Sequence, residues 1–152
     1  VTIKPGDAFW LWNAVVQKHH IHVVLTHPEP LLSHGSGNWV VVVNVTSIRT
    51  GIRYDATTVL QPGEIGGVIK QPSYVFYEAA CFKATQELLD ELGTKLSDGG
   101  TLASYIGLVS ETLFERLQDG VQDSMETPPS VQEYCFKRHP GDGSVLNLGG
   151  AD

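Results

Sequence analysis

The sequence predicts an α+β domain, a small β-barrel or curled sheet followed by helices packed on it. Up to about residue 83 the apolar residues come in short β-branched and aromatic runs bounded by Gly, Pro, Asn and Asp, and five short strands fit there. Beyond that point they recur at helical spacing. No internal repeat and no linker separates the halves. One domain over 1–140 is therefore expected, with the barrel at about 2–83, the helical part at about 84–136 and a Gly-rich, flexible tail at 141–152.

The elements follow in order. Lys4-Pro5-Gly6-Asp7 is a turn, because Pro fixes φ and Gly accepts backbone that other residues avoid; it feeds an aromatic strand over 8–16. A second strand over 20–26 carries His20 and His22 before Val23, Val24 and Leu25. Residues 28–38 read as a loop of about a dozen residues, long enough for a functional lid or a tolerated surface insertion. Trp39 to Ser47 holds five valines and reads as a strand buried on both faces, ending in the polar Asn44, Thr46 and Ser47. Short strands at 57–60 and 72–78 complete the first half. In the second half Thr85 is expected to cap a helix bearing Leu88, Leu89 and Leu92 that stops at Gly93. Ser110 caps a second, with Leu113, Phe114, Leu117 and Val121 on one face and Val109 stapling Phe114. Thr127-Pro128 opens a third, facing inward through Val131, Tyr134 and Cys135.

The chain of 152 residues is 41% hydrophobic and 18% charged, the balance of an ordinary packed domain. No apolar run approaches the roughly 18 residues of a membrane span, and the start lacks the basic and apolar regions of a signal peptide. Cys81 and Cys135 lie far apart without CxxC neighbours, which suits thiols in a reducing compartment, so the cytoplasm is expected. The net charge of −7 argues against a broad polyanion-binding surface. The charge is uneven, however: residues 1–60 carry Lys4, Lys18, Arg49 and Arg53 against Asp7, Glu29 and Asp55, with five of the six histidines.

Lys4-Pro-Gly-Asp7 with its aromatic strand, Val23-Val-Leu-Thr26 and the strand end Val45-Thr46-Ser47 resemble the PemK/MazF-like toxin superfamily. Asp55-Ala-Thr-Thr-Val-Leu-Gln-Pro-Gly63 and Ser73-Tyr-Val-x-Tyr77 look like a subgroup of that superfamily with a helical C-terminal half. The resemblance implies an SH3-like barrel and a metal-independent RNA endonuclease of a toxin–antitoxin pair. The partners it implies are RNA, an antitoxin protein and a second copy of the chain. In this family the ribose 2′-hydroxyl attacks the adjacent phosphate, which needs a base, an acid and a cradle for the phosphorane. The family's arginine before the second strand falls near His20, and its threonine after the third strand falls on Thr46.

His20, Thr46, Ser47 and Arg49 are the catalytic candidates, and His22, Arg53, Ser73 and Tyr77 the substrate-binding ones. Histidine differs from the family's arginine in that it exchanges protons near neutral pH rather than holding a fixed charge. Strand alternation puts His20 and His22 on one face, yet no carboxylate or cysteine at ligand spacing completes a metal site, so no metal or cofactor is expected. Tyr74 is assigned by alternation to the core or the opposite face, and Trp10, Trp12 and Trp39 to the core. The second reading is a catalytically silent barrel that binds a protein or nucleic acid through the same groove. No P-loop, GxGxxG, GxSxG or HExxH motif offers another chemistry.

Overall fold

In the computed structural model, which describes residues 2–138, the valine-rich run is β4, Asn38–Ser47. Val40, Val41, Val42 and Val43 are all buried, as expected of a strand covered on both faces. One margin of β4 pairs with β2 (Lys18–Val24) and with β3 (Glu29–Pro30). The other margin pairs with β7 (Cys81–Ala84) along its first half and with β6 (Ser73–Val75) at its end. β1 (Asp7–Asn13) lies beyond β2, β8 (Ala103–Leu108) lies beyond β1, and β5 (Val59–Leu60) lies beyond β6. Every pairing is antiparallel.

The sheet does not close. Its order runs β5-β6-β4-β2-β1-β8 with β5 and β8 as edges, so the closed barrel expected from the sequence is corrected to an open antiparallel sheet. The physical reason lies in the two faces of β4. Val41, Val43 and Val45 join Ala8, Ile21 and Val23 in one cluster, under α2 (Glu111–Asp123) and α3 (Pro129–Arg138). Val40 and Val42 join Phe9, Leu11 and Val24 in a second cluster, which α1 (Thr85–Leu92) covers with Leu88. The result is a sheet between two helical layers, held by apolar burial on both sides.

Three strands escape the sequence reading. β3 interrupts the expected loop, β7 leads directly into α1, and β8 falls in the half read as helical. β8 is hard to read because Tyr105 and Leu108 are exposed, and its register on β1 shifts between Ala8 and Phe9. At the helix starts, the Leu113 N–H donates to Ser110 Oγ at 3.1 Å, as predicted. Thr85 is instead the first residue of α1, with Ala84 in the capping position and no side-chain cap.

Tyr77 forms a buried lock between sheet and helices. Its hydroxyl donates to the Leu117 carbonyl at 3.0 Å and lies 2.8 Å from Thr58 Oγ1. Gly120 of α2 faces that hydroxyl, where any Cβ would overlap it. Among the described residues no helix is long and apolar enough to cross a membrane. The predicted tail at 141–152 lies outside the described residues.

Candidate functional site

β2 begins at Lys18 and β4 ends at Ser47, and because they run antiparallel these residues meet at one end of the sheet. With Ile21 against Val45 and His22 against Asn44, alternation sends His20, His22, Asn44 and Thr46 to the face that α1 covers. The cover is incomplete at this end. There a concavity of about 540 Å³ opens, lined by Lys18, His20, Thr46, Ser47, Arg49 and Tyr74. Val16, Ile52 and Tyr54 form its rim; Ile52 and Val16 are exposed apolar side chains.

The polar groups of this groove are oriented by few bonds. Thr46 Oγ1 donates its proton to Asn44 Oδ1 at 2.8 Å, which leaves its lone pairs as acceptors. His20 Nδ1 is buried and finds no hydrogen-bond partner. Burial lowers the His20 pKa below the usual histidine value, and the charges of Lys18 and Arg49 lower it further. The imidazole is thus held neutral at pH 7, as a proton acceptor. Tyr74 pairs with Thr46 across the strands and stacks, tilted by 41°, on Tyr54 with ring centroids 5.3 Å apart. An aromatic wall therefore faces the two cations. Burial raises the Tyr74 hydroxyl pKa, with Glu126 and Asp55 adding to the shift, so it stays a neutral donor.

The loop carrying Arg49, Ile52 and Tyr54 is pinned at Asp55. This carboxylate accepts from the Thr57 N–H at 3.0 Å and from the Thr57 hydroxyl at 2.6 Å. Ser124, just past α2, donates to its other oxygen at 2.6 Å. The Asp55 pKa is lowered overall: burial alone would raise it, but the hydrogen bonds from Ser124 and Thr57 outweigh that cost.

A second cleft of about 370 Å³ opens on the other side of the strand ends, between Trp10 on β1 and the segment Val68 to Gln71. Lys18, His20 and Ser47 line both openings. Neither is lined by a carboxylate, although the chain carries 17 acidic residues.

Of the sequence candidates, His20, Thr46, Ser47 and Arg49 come together at the groove. The others separate. His22 lies deeper: its Nδ1–H donates to the His20 carbonyl at 3.2 Å, and burial pushes its pKa down to about 4 despite that bond, with Lys83 and His20 contributing. It does not line the groove, and neither does the exposed Arg53. Ser73 is buried, donates to the Gln71 carbonyl at 3.0 Å and opens onto the second cleft, beside Ser47. Tyr77, expected at the substrate, is a core residue with its hydroxyl fully engaged; this is a correction, set by the turn at Tyr77–Ala79 that carries it under α2.

Five groove residues went unrecognised in the sequence: Val16, Ile52 and Tyr54 at the rim, and Lys18 and Tyr74. Lys18 shares strand parity with His20, a legible signal. Tyr74 depends on the β4–β6 register, which puts it opposite Thr46 and Ser73 opposite Ser47. The three tryptophans are half-buried; Trp10 packs against the main core cluster, as expected of a core residue, while Trp12 and Trp39 belong to neither cluster. Cys81 is exposed and Cys135 buried, both free thiols. Among the described residues no cluster of three or more His, Cys, Asp or Glu side chains is arranged to hold a metal ion. No family model, curated protein or solved structure matches the chain.

Proposed function

We propose that this groove binds single-stranded RNA and cleaves it without metal, and that the chain is the toxin of a toxin–antitoxin pair with a curled, SH3-like sheet. The observation that carries the reading is His20, kept neutral by burial and by the neighbouring Lys18 and Arg49, in a concavity that no carboxylate lines. The toxin role, the antitoxin and a homodimer follow from the resemblance alone, and a cytoplasmic setting from the two unpaired cysteines.

The chemistry asks each groove residue for one task. Neutral His20 accepts the proton of the ribose 2′-hydroxyl, and the 2′-oxygen attacks the adjacent phosphorus. Lys18 and Arg49 balance the negative charge of the phosphorane, while the lone pairs of Thr46 position the hydroxyl. The bond to the 5′-oxygen breaks, and that oxygen takes a proton from solvent, to which the groove is open. The products are a 2′,3′-cyclic phosphate and a 5′-hydroxyl. A bound phosphate also offsets the two cations beside His20, raising its proton affinity at the moment it must act.

One observation favours the second reading, a binding module without catalysis. His20 Nδ1 has no acceptor to fix the ring, whereas an imidazole base is normally oriented by such a partner. Purified protein incubated with mixed-sequence RNA and EDTA separates the readings. Cyclic-phosphate ends from wild type, lost in His20→Ala and Arg49→Ala, support the nuclease. Intact RNA that still binds, as read by fluorescence anisotropy, leaves the binding module; no binding rejects both RNA readings.

A further inference from the structure

Resting on the RNA reading of the groove, we infer that the second cleft is part of the same binding track, so that a single strand of at least two ribonucleotides crosses the sheet end and is seated on both sides of it. The two concavities are not independent pits. Lys18, His20 and Ser47 belong to both walls, at the place where β2 starts and β4 stops. Thr46 lines only the groove and Ser73 only the cleft, while Ser47 between them borders both, so a ligand that reaches both Thr46 and Ser73 must pass over the strand end.

Each side offers a different kind of contact. On the groove side, Tyr54 and Tyr74 present aromatic faces on which a base can stack. On the cleft side, the half-buried Trp10 lies at the base and the exposed Lys70 and Gln71 at the lip. The phosphate between two such nucleosides falls on the shared ridge, at Lys18 and His20. Charge along the path supports one polyanionic occupant: Lys18, Arg49 and Lys70 line it, and no carboxylate does. The contrast is local. A larger depression, about 650 Å³, beside β8 carries Glu111 and Glu115 among its lining residues and would repel the same ligand.

The test uses the chain with 2′-O-methyl uridine oligonucleotides of one and four nucleotides, which bind but cannot be cleaved, in EDTA and low salt. Wild type should hold the tetramer at least about tenfold more tightly than the monomer, one further stacked base being worth that much. Lys70→Ala with Gln71→Ala, both on exposed side chains, should remove most of that advantage and leave the monomer's affinity unchanged. Tyr74→Ala should weaken both ligands. If the double variant holds the tetramer as wild type does, the second cleft is not part of the track, while the groove reading stands. If wild type binds neither ligand, the RNA reading falls and this inference with it.

Discussion

Replacing Gly120 by alanine puts one methyl group where the Tyr77 hydroxyl sits, and its cost can be worked from the packing. The added Cβ would overlap the hydroxyl oxygen and the ring carbon bearing it, and would crowd Thr58 Oγ1. All three positions are buried, so no side chain can swing into solvent. Overpacking of this kind costs about 1–3 kcal/mol. The ring must also leave the Leu117 carbonyl and Thr58, and two lost hydrogen bonds add about 1 kcal/mol each. A total of about 3–5 kcal/mol is a large share of the roughly 5–15 kcal/mol that holds an ordinary domain together. In a urea titration it should lower the midpoint by about 2 M with little change of slope. Tyr77→Phe alone should cost about 1–2 kcal/mol, and in the double variant it should relieve part of the Gly120→Ala cost, since the oxygen is gone but the ring carbon remains. A Gly120→Ala midpoint within about 0.5 M of wild type would refute the lock. Tyr77→Phe that binds RNA poorly while keeping its stability would refute the assignment of Tyr77 to the core.

The remaining predictions are more local. His22 resists protonation when folded, with a pKa of about 4, whereas in the unfolded chain it titrates near 6.5. Its contribution is therefore complete above about pH 6.5 and is lost as pH falls toward 4, amounting to about 3 kcal/mol; His22→Gln should flatten the denaturation midpoint over that window. If His20 is the base, the acid limb of cleavage should lie below the ordinary histidine pKa, and Lys18→Ala with Arg49→Ala should move it upward on any residual activity. Ser110→Ala removes the α2 cap and should cost about 1 kcal/mol in the same titration. Arg138→Ala breaks a partly exposed pairing with Glu29 and a stack on Tyr134 at 3.4 Å, and should change stability by no more than about 1 kcal/mol, less at high salt.

How far the sequence could be read depended on whether a feature was local. β4 announced itself because consecutive valines need cover on two sides, and α2 because Ser110 and its apolar stripe sit within one helical span. His20, Thr46, Ser47 and Arg49 were legible as a strand start and a strand end that antiparallel pairing brings together. Features set by register were not. Choosing Ser73 over Tyr74 was a one-residue error of parity, and a single step moves every side chain of a strand to the other face. Tyr77 follows β6 by two residues, but the chain leaves the extended conformation between them, so alternation no longer applies. β3 and β7 are two and four residues long, and their pairing partner, not their composition, makes them strands.

The bond from Ser124 to Asp55 makes the groove's shape a property of the helical half. Arg49, Ile52 and Tyr54 ride on a connection whose far end is fastened to the residue that closes α2. A change near that helix end, some 70 positions away in sequence, would slacken the aromatic wall without touching any residue that faces the groove. Selection on ligand fit would then act at Ser124 as well as at Tyr54.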